Sequence, residues 1–171
     1  MYYRSPGALE RLARADSEDM YRRMNAKSEF FVPNTFGSIR ESEKSRLGAL
    51  AEFVEDYRLR YPIGRYVHAS LPQLPFADKA FDISICGHLL FIYSKQFGPD
   101  FFLDALRELC RVTREEVRVH PIVNSSGARY EQLDELMVTL RSDGFECRVI
   151  DVDHEFFRGT NKTLVIRVKE S

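Results

Sequence analysis

The chain has 171 residues, 44% hydrophobic and 30% charged, enough for one domain with a core of its own and too few for two of ordinary size. A formal net charge of -1 offers no general attraction to phosphate backbones, and no local basic patch supplies one, so nucleic acid is not an expected partner. No run nears the ~18 apolar residues of a membrane span. The start Met1-Tyr2-Tyr3-Arg4 lacks a signal peptide's apolar segment, and three cysteines without a CxxC pair fit a reducing compartment, so a cytoplasmic protein is expected.

Residues 8 to 25 carry Leu9, Leu12, Ala13, Met20 and Met24 at helical spacing around the polar cluster Asp16-Ser17-Glu18-Asp19, as one broken helix or two. Glu29 to Gly37 mixes aromatics with Pro33 and Gly37 and reads as a packed loop. Ser38-Ile39-Arg40-Glu41 has the form of a capping box. Leu47, Leu50, Ala51, Val54 and Tyr57 follow at intervals of three and four, which predicts a helix over 39–58 with its apolar stripe toward a sheet. Tyr61 to Gly64 ends it, and Arg65 to Ala69 is a short strand candidate. The expected organisation is a helical and loop segment over 1–37 and one α/β domain over 38–171.

The chain's most informative stretch runs from Leu74 to Ile92. Polar Ala77-Asp78-Lys79 feeds Phe81 to Ile85, which reads as a strand covered on both faces at the centre of a sheet. Its C-terminal end delivers Cys86, Gly87 and His88 to the side where open α/β sheets bind ligands. Gly98-Pro99-Asp100 then opens a helix with Phe102, Ala105, Leu106, Leu109 and Val112 on one face, followed by a strand over Val117 to His120. Tyr130, Leu133, Leu136, Met137 and Leu140 mark a last helix. Two strands, Glu146 to Val152 and Lys162 to Val168, close the chain through a turn at 158–161.

His88 and His120 each end a predicted parallel strand with one helix between them, so they are expected as neighbours that could face one ligand. Metal-site spacing is absent there. Asp151, Asp153, His154 and Glu155 resemble a cation cluster but alternate as the solvated face of a strand does. Cys86 reads as a small hydrophobe or pocket wall, with nothing to stabilise a thiolate. No Gly-x-Ser-x-Gly nucleophile elbow occurs, which disfavours a hydrolase.

The string Leu74-Pro-Phe-x-Asp78-x-x-Phe-Asp82-x-x-x-Cys86-x-His88-x-Leu90, with Ala105-Leu106-Arg107-Glu108 and Arg111-Val112, resembles the central part of class I S-adenosylmethionine-dependent methyltransferases. Arg65 to Ser70 and Phe157-Arg158-Gly159-x-Asn161 are similar to one bacterial subgroup, and the resemblance covers roughly residues 38 to 168. It implies a Rossmann-like α/β sheet, mostly parallel with an antiparallel C-terminal edge pair, and methyl transfer from S-adenosylmethionine to an unidentified small-molecule or protein acceptor. It also implies Ser70, Leu71, Cys86, Gly87 and His88 as cofactor-binding positions, with His88 the catalytic candidate facing substrate.

Two family elements are missing. The glycine-rich turn that cradles the cofactor's methionine part has no counterpart among Gly7, Gly37, Gly48 and Gly64, and Ser70 stands where an acid usually binds the adenine amino group. Against the family's strand order, 3-2-1-4-5-7-6, Met1 falls just after the second strand, so the chain is expected to lack the first strand-helix-strand unit. The central strand would then have a bare edge, filled by the Arg65 strand sliding in or by a partner chain such as a second copy. The leading expectation is therefore an N-terminally incomplete form of such a methyltransferase, with the complete form the enzyme, and the competing expectation is a non-catalytic partner or regulatory subunit.

Overall fold

The computed structural model describes residues 5–32 and 36–168, leaving Pro33, Asn34 and Thr35 of the expected loop outside the described residues. It divides into two compact units, Met1–His68 and Ala69–Ser171, so the helix over residues 39–60 groups with the N-terminal helix. Each unit has its own logic.

The first unit is a pair of helices, α1 (Pro6–Asn25) and α2 (Ile39–Arg60). α1 is continuous through the polar cluster, because Ser17 turns inward and its hydroxyl bonds the Ala13 carbonyl at 2.8 Å. Leu9, Tyr21 and Met24 of α1 and Leu50, Val54 and Tyr57 of α2 are buried. A buried hydroxyl needs a partner. The Tyr21 hydroxyl and Ser42 Oγ supply each other's at 2.9 Å, tying the two helices. Half of the expected capping box forms: Ser38 Oγ accepts from the Glu41 amide at 3.1 Å, while the Glu41 carboxylate takes the Ser38 hydroxyl at 2.8 Å instead of the Ser38 amide, which donates to the Phe36 carbonyl.

The expected strand over Arg65 to Ala69 does not form. Tyr66 donates to Asp56 Oδ2 at 2.6 Å, and its ring sits edge-on to Phe53 and Tyr57, 5.6 and 5.2 Å away between centroids. Local aromatic packing against α2 therefore wins over β propensity, and the segment does not slide in as a neighbour of the central strand.

The second unit is a four-stranded mixed sheet in the order β1-β2-β4-β3, built from β1 (Phe81–Gly87), β2 (Thr113–His120), β3 (Glu146–Asp151) and β4 (Lys162–Arg167). β1 and β2 are parallel, and β4 runs antiparallel to both β2 and β3, so the closing pair is antiparallel as expected. α3 (Pro99–Val112) and α4 (Leu133–Ser142) supply the helical side of the core. Cys86, Val117, Val119, Leu164, Ile166 and Cys147 meet Phe102, Leu106, Leu109, Leu136 and Leu140 there. Each fully buried side chain of this size contributes about 1.5–3 kcal/mol.

β1 is an edge strand, not the centre of the sheet. Alternation sends Ser84 and Cys86 toward the core and Phe81, Ile83 and Ile85 the other way, where Ile83 is 50% and Ile85 74% exposed. The apolar run that reads as doubly covered is covered on one side only.

Two of the motif blocks prove to be one device. The Leu74 amide donates to Glu108 Oε1 at 2.6 Å, and Arg111 bonds Glu108 at 2.7 Å and Asp78 at 2.6 Å. The Lys79 amide reaches the Arg111 carbonyl at 2.8 Å. The turn before β1 is thus fastened to the end of α3, which fixes where β1 enters the sheet.

Candidate functional site

β1 and β2 run parallel, so their C-terminal ends open together, with Gly87 opposite His120 in the ladder. That side of an open α/β sheet, beyond the carboxyl ends of its strands, is where ligands bind. β1 ends in a sharp turn: His88 has a left-handed backbone, φ +52, and its amide donates to the His120 carbonyl at 2.7 Å. The His88 ring is exposed and stands edge-on to His120, 5.5 Å between centroids. The expected neighbour relation of these two histidines holds.

His120 is the most unusual group of the site. Its Nδ1 lies 2.9 Å from Thr163 Oγ1 on β4, while its Nε2 is buried without a hydrogen-bond partner. His154, from the connection between β3 and β4, stands 5.8 Å away between ring centroids. Burial first, then the neighbouring His88 and His154, lowers the His120 pKa to about 4, so the ring is neutral at physiological pH. A neutral imidazole with an unpaired buried nitrogen costs about 1–3 kcal/mol in lost hydration. Such a group among titratable neighbours is a candidate for binding or proton transfer.

The other sequence-predicted positions fall into two groups. Cys86, Gly87 and His88 come together at the end of β1. Cys86 turns its thiol into the core, where burial raises its pKa, and burial pushes Cys110 up to about 12, so neither is a ready thiolate. Gly87 keeps open space where a Cβ would be. Ser70 and Leu71 stand on a separate turn closed by the Gln73 amide on the Ser70 carbonyl at 3.2 Å, with Ser70 exposed and Leu71 packed against the core.

The acidic cluster does not gather around a cation. Asp151 is bonded by Lys162 at 2.6 Å and Glu155 accepts from the Gly159 amide at 2.7 Å. Among the described residues no group of three or more His, Cys, Asp and Glu side chains is arranged to hold a metal ion. His154 is instead the residue that sequence reasoning missed as part of the histidine group. Its signal was available in the pairing of the last two strands, since Asp151 opposite Lys162 returns the connection to the His120 side.

A groove of about 570 Å³ lies elsewhere, lined by Ile83, Arg114, Glu116, Arg118 and Arg167. Glu116 already engages Arg118 at 2.6 Å and Arg167 at 3.8 Å, and Arg114 engages Asp82 at 2.6 Å. Lys79 and Glu115 also line it, and with its arginines engaged by carboxylates and its place away from the carboxyl ends of the strands, the groove offers less chemistry than the histidines do.

No family model matches the chain. Over 168 residues it is 30% identical to the uncharacterized protein MJ0045 of Methanocaldococcus jannaschii, an alignment covering 98% of this chain and 72% of that protein. The chain belongs to the MJ0045 family. Among solved structures it is similar to a S-adenosylmethionine-dependent methyltransferase of Thermotoga maritima, TM1293, described as a possible histamine N-methyltransferase. That match has a TM-score of 0.43 and 17% identity, over 74% of this chain and 78% of the other. Among the described residues no helix is long and apolar enough to cross a membrane.

For this member of the MJ0045 family, the geometry allows a defined chemistry at the strand ends. His120 can accept a hydrogen bond through Nε2 once its cover shifts, and exposed His88 can meet a ligand directly. The backbone beside them is open at Gly87.

Proposed function

We propose that the second unit is the acceptor-side half of a S-adenosylmethionine-dependent methyltransferase fold, lacking the family's first strand-helix-strand unit, with His88 facing the methyl acceptor. One observation carries the reading. The order β1-β2-β4-β3, with β4 antiparallel between two strands that run parallel to β1, reproduces the 4-5-7-6 half of the order implied by the sequence resemblance. The fastening of Leu74 and Asp78 to Glu108 and Arg111 adds support, because it ties together the two sequence blocks that carry that resemblance.

The residues present do not by themselves form a cradle for the cofactor. The Cys86 thiol faces the core, Ser70 lies on its own turn, and the chain has no glycine-rich strand-to-helix turn. What this chain contributes is the neutral His120 imidazole, His88 beside it, and an open backbone at Gly87. Holding an acceptor's N–H or O–H in a fixed direction is a large part of what such a transfer requires.

Calorimetric titration of S-adenosylmethionine and S-adenosylhomocysteine into the 171-residue chain tests the reading, after a cooperative melt has established folding. Micromolar binding, with methyl transfer lost in His88→Ala, would show that these residues hold the cofactor without a glycine-rich turn. Absence of binding by a folded chain sinks the catalytic reading in favour of a non-catalytic partner, which the uncovered apolar side of β1 favours.

A further inference from the structure

The outer edge of β1 has a definite hydrogen-bonding phase. Because the His88 amide donates to the His120 carbonyl and Gly87 lies opposite His120, the peptide groups of Ser84 and Cys86 face β2. Those of Phe81, Ile83, Ile85 and Gly87 face outward, and among the described residues no strand or bridge pairs with them. The outward-bonding residues are also the exposed apolar ones: Phe81, Ile83 and Ile85 share one face.

Soluble proteins blunt such edges with lysine, proline or a bulge. β1 carries no lysine and no proline, its one register irregularity against β2 lies at its start between Phe81 and Ile83, and its single charge, Asp82, is engaged by Arg114 at 2.6 Å. The edge is also self-complementary. In an antiparallel pair of identical strands centred on Ile83, Ile83 meets its own copy, Phe81 meets the second copy's Ile85, and Asp82 meets its Ser84. All three exposed apolar residues gain cross-strand partners, and a hydroxyl stands opposite each carboxylate. Centring on Asp82 would oppose two carboxylates, and centring on Ser84 would leave Phe81 facing Gly87. Charge and apolar matching therefore select the same register.

We infer that β1 pairs antiparallel with β1 of a second copy about a two-fold axis at Ile83, joining the two sheets into one. The two-fold contact uses the β1 edge of both copies, so the assembly closes at two chains. This goes beyond the methyl-transfer reading and does not depend on it.

Sedimentation velocity and light scattering of the full chain across a concentration series provide the test. The expected species has twice the 19.9 kDa chain mass and dissociates on dilution. Ile83→Lys, which sets two lysines opposite each other, and Ile85→Lys should each raise the dimer Kd about tenfold or more with the melt and circular dichroism retained. Val138→Lys, at a 59% exposed position on α4, should leave it unchanged. The register is tested by Phe81→Lys and Ile85→Glu: each alone weakens the dimer, and the double variant restores it by pairing lysine with glutamate across the axis. A chain that stays monomeric at high micromolar concentration, or a dimer indifferent to Ile83→Lys, overturns the proposal. Cofactor titration reads the methyl-transfer reading separately, so either can fail alone.

Discussion

β1 and β4 are built from similar material and meet different fates. Thr163-Leu164-Val165-Ile166 of β4 is flanked by β2 and β3, and its three aliphatic residues are 0% exposed. Asp82-Ile83-Ser84-Ile85 of β1 has one neighbour, and both of its isoleucines stay half-exposed or more. Local apolar content thus does not decide how deeply a strand is buried; the number of its partners does. An interior strand spends its side chains on stability. An edge strand of the same composition leaves them exposed.

The largest expected effect breaks this contrast from the interior side. Ile166→Ala opens a cavity in a core closed by both helices and should cost about 2–5 kcal/mol in chemical denaturation. A cost below that range would mean that the core collapses around the gap, and the β4 environment would resemble that of β1. Next comes the clamp that sets β1 in place. Glu108→Ala leaves the Leu74 amide and the Arg111 guanidinium without their shared acceptor, a loss of about 1–3 kcal/mol. Amide exchange at Leu74 should speed up alongside it. If exchange is unchanged, the turn is held by its apolar contacts alone.

A third effect belongs to the strand ends. His120 is depressed in the folded chain, to about 4, relative to the ordinary histidine value of 6.5 in the unfolded one. Between those values the unfolded state binds the extra proton, so stability is intact above about pH 6.5 and falls as the solution is acidified toward pH 4. His120→Asn should flatten the melting temperature across that window. His88→Ala removes a repelling neighbour and should raise the His120 pKa, visible in the titration of its ring protons by NMR. A wild-type melt that is flat from pH 7 to pH 4 would contradict the burial of this ring.

Much of the fold was legible because its signals are local. The Ser38 capping box, the proline that opens α3 and the spacing of Phe102, Leu106 and Leu109 each act within a few residues of where they stand. The antiparallel closing pair follows from two β-prone runs joined by the connection over 152–161 with its turn at 158–161. Arg65 to Ala69 misled for the opposite reason: its β pattern is local, whereas the Asp56 carboxylate and the Phe53 and Tyr57 rings that claim Tyr66 come from the preceding helix. The position of β1 was illegible because a doubly covered strand and a self-complementary edge strand have the same composition. At the site, parallel strands with one intervening helix were enough to bring His88 and His120 together. His154 reaches His120 from the β3–β4 connection, a contact that follows from the pairing of the last two strands rather than from any spacing along the chain.

The smallest effect is the sharpest test of the contrast, because it asks whether the exposed side of β1 contributes anything to the single chain. Ile85 is 74% exposed and makes no part of the helix-covered core. Threonine keeps the branched Cβ that suits a strand while removing apolar surface. At concentrations low enough for a single chain, Ile85→Thr should therefore change unfolding free energy by no more than about 0.5 kcal/mol. The same substitution measured at high concentration should lower apparent stability by more, since association stabilises by mass action and the variant forfeits it. Equal effects at both concentrations would assign Ile85 an intramolecular role. An effect that grows with concentration separates the two uses of an apolar residue that β4 and β1 exemplify: cohesion within one chain and adhesion to another.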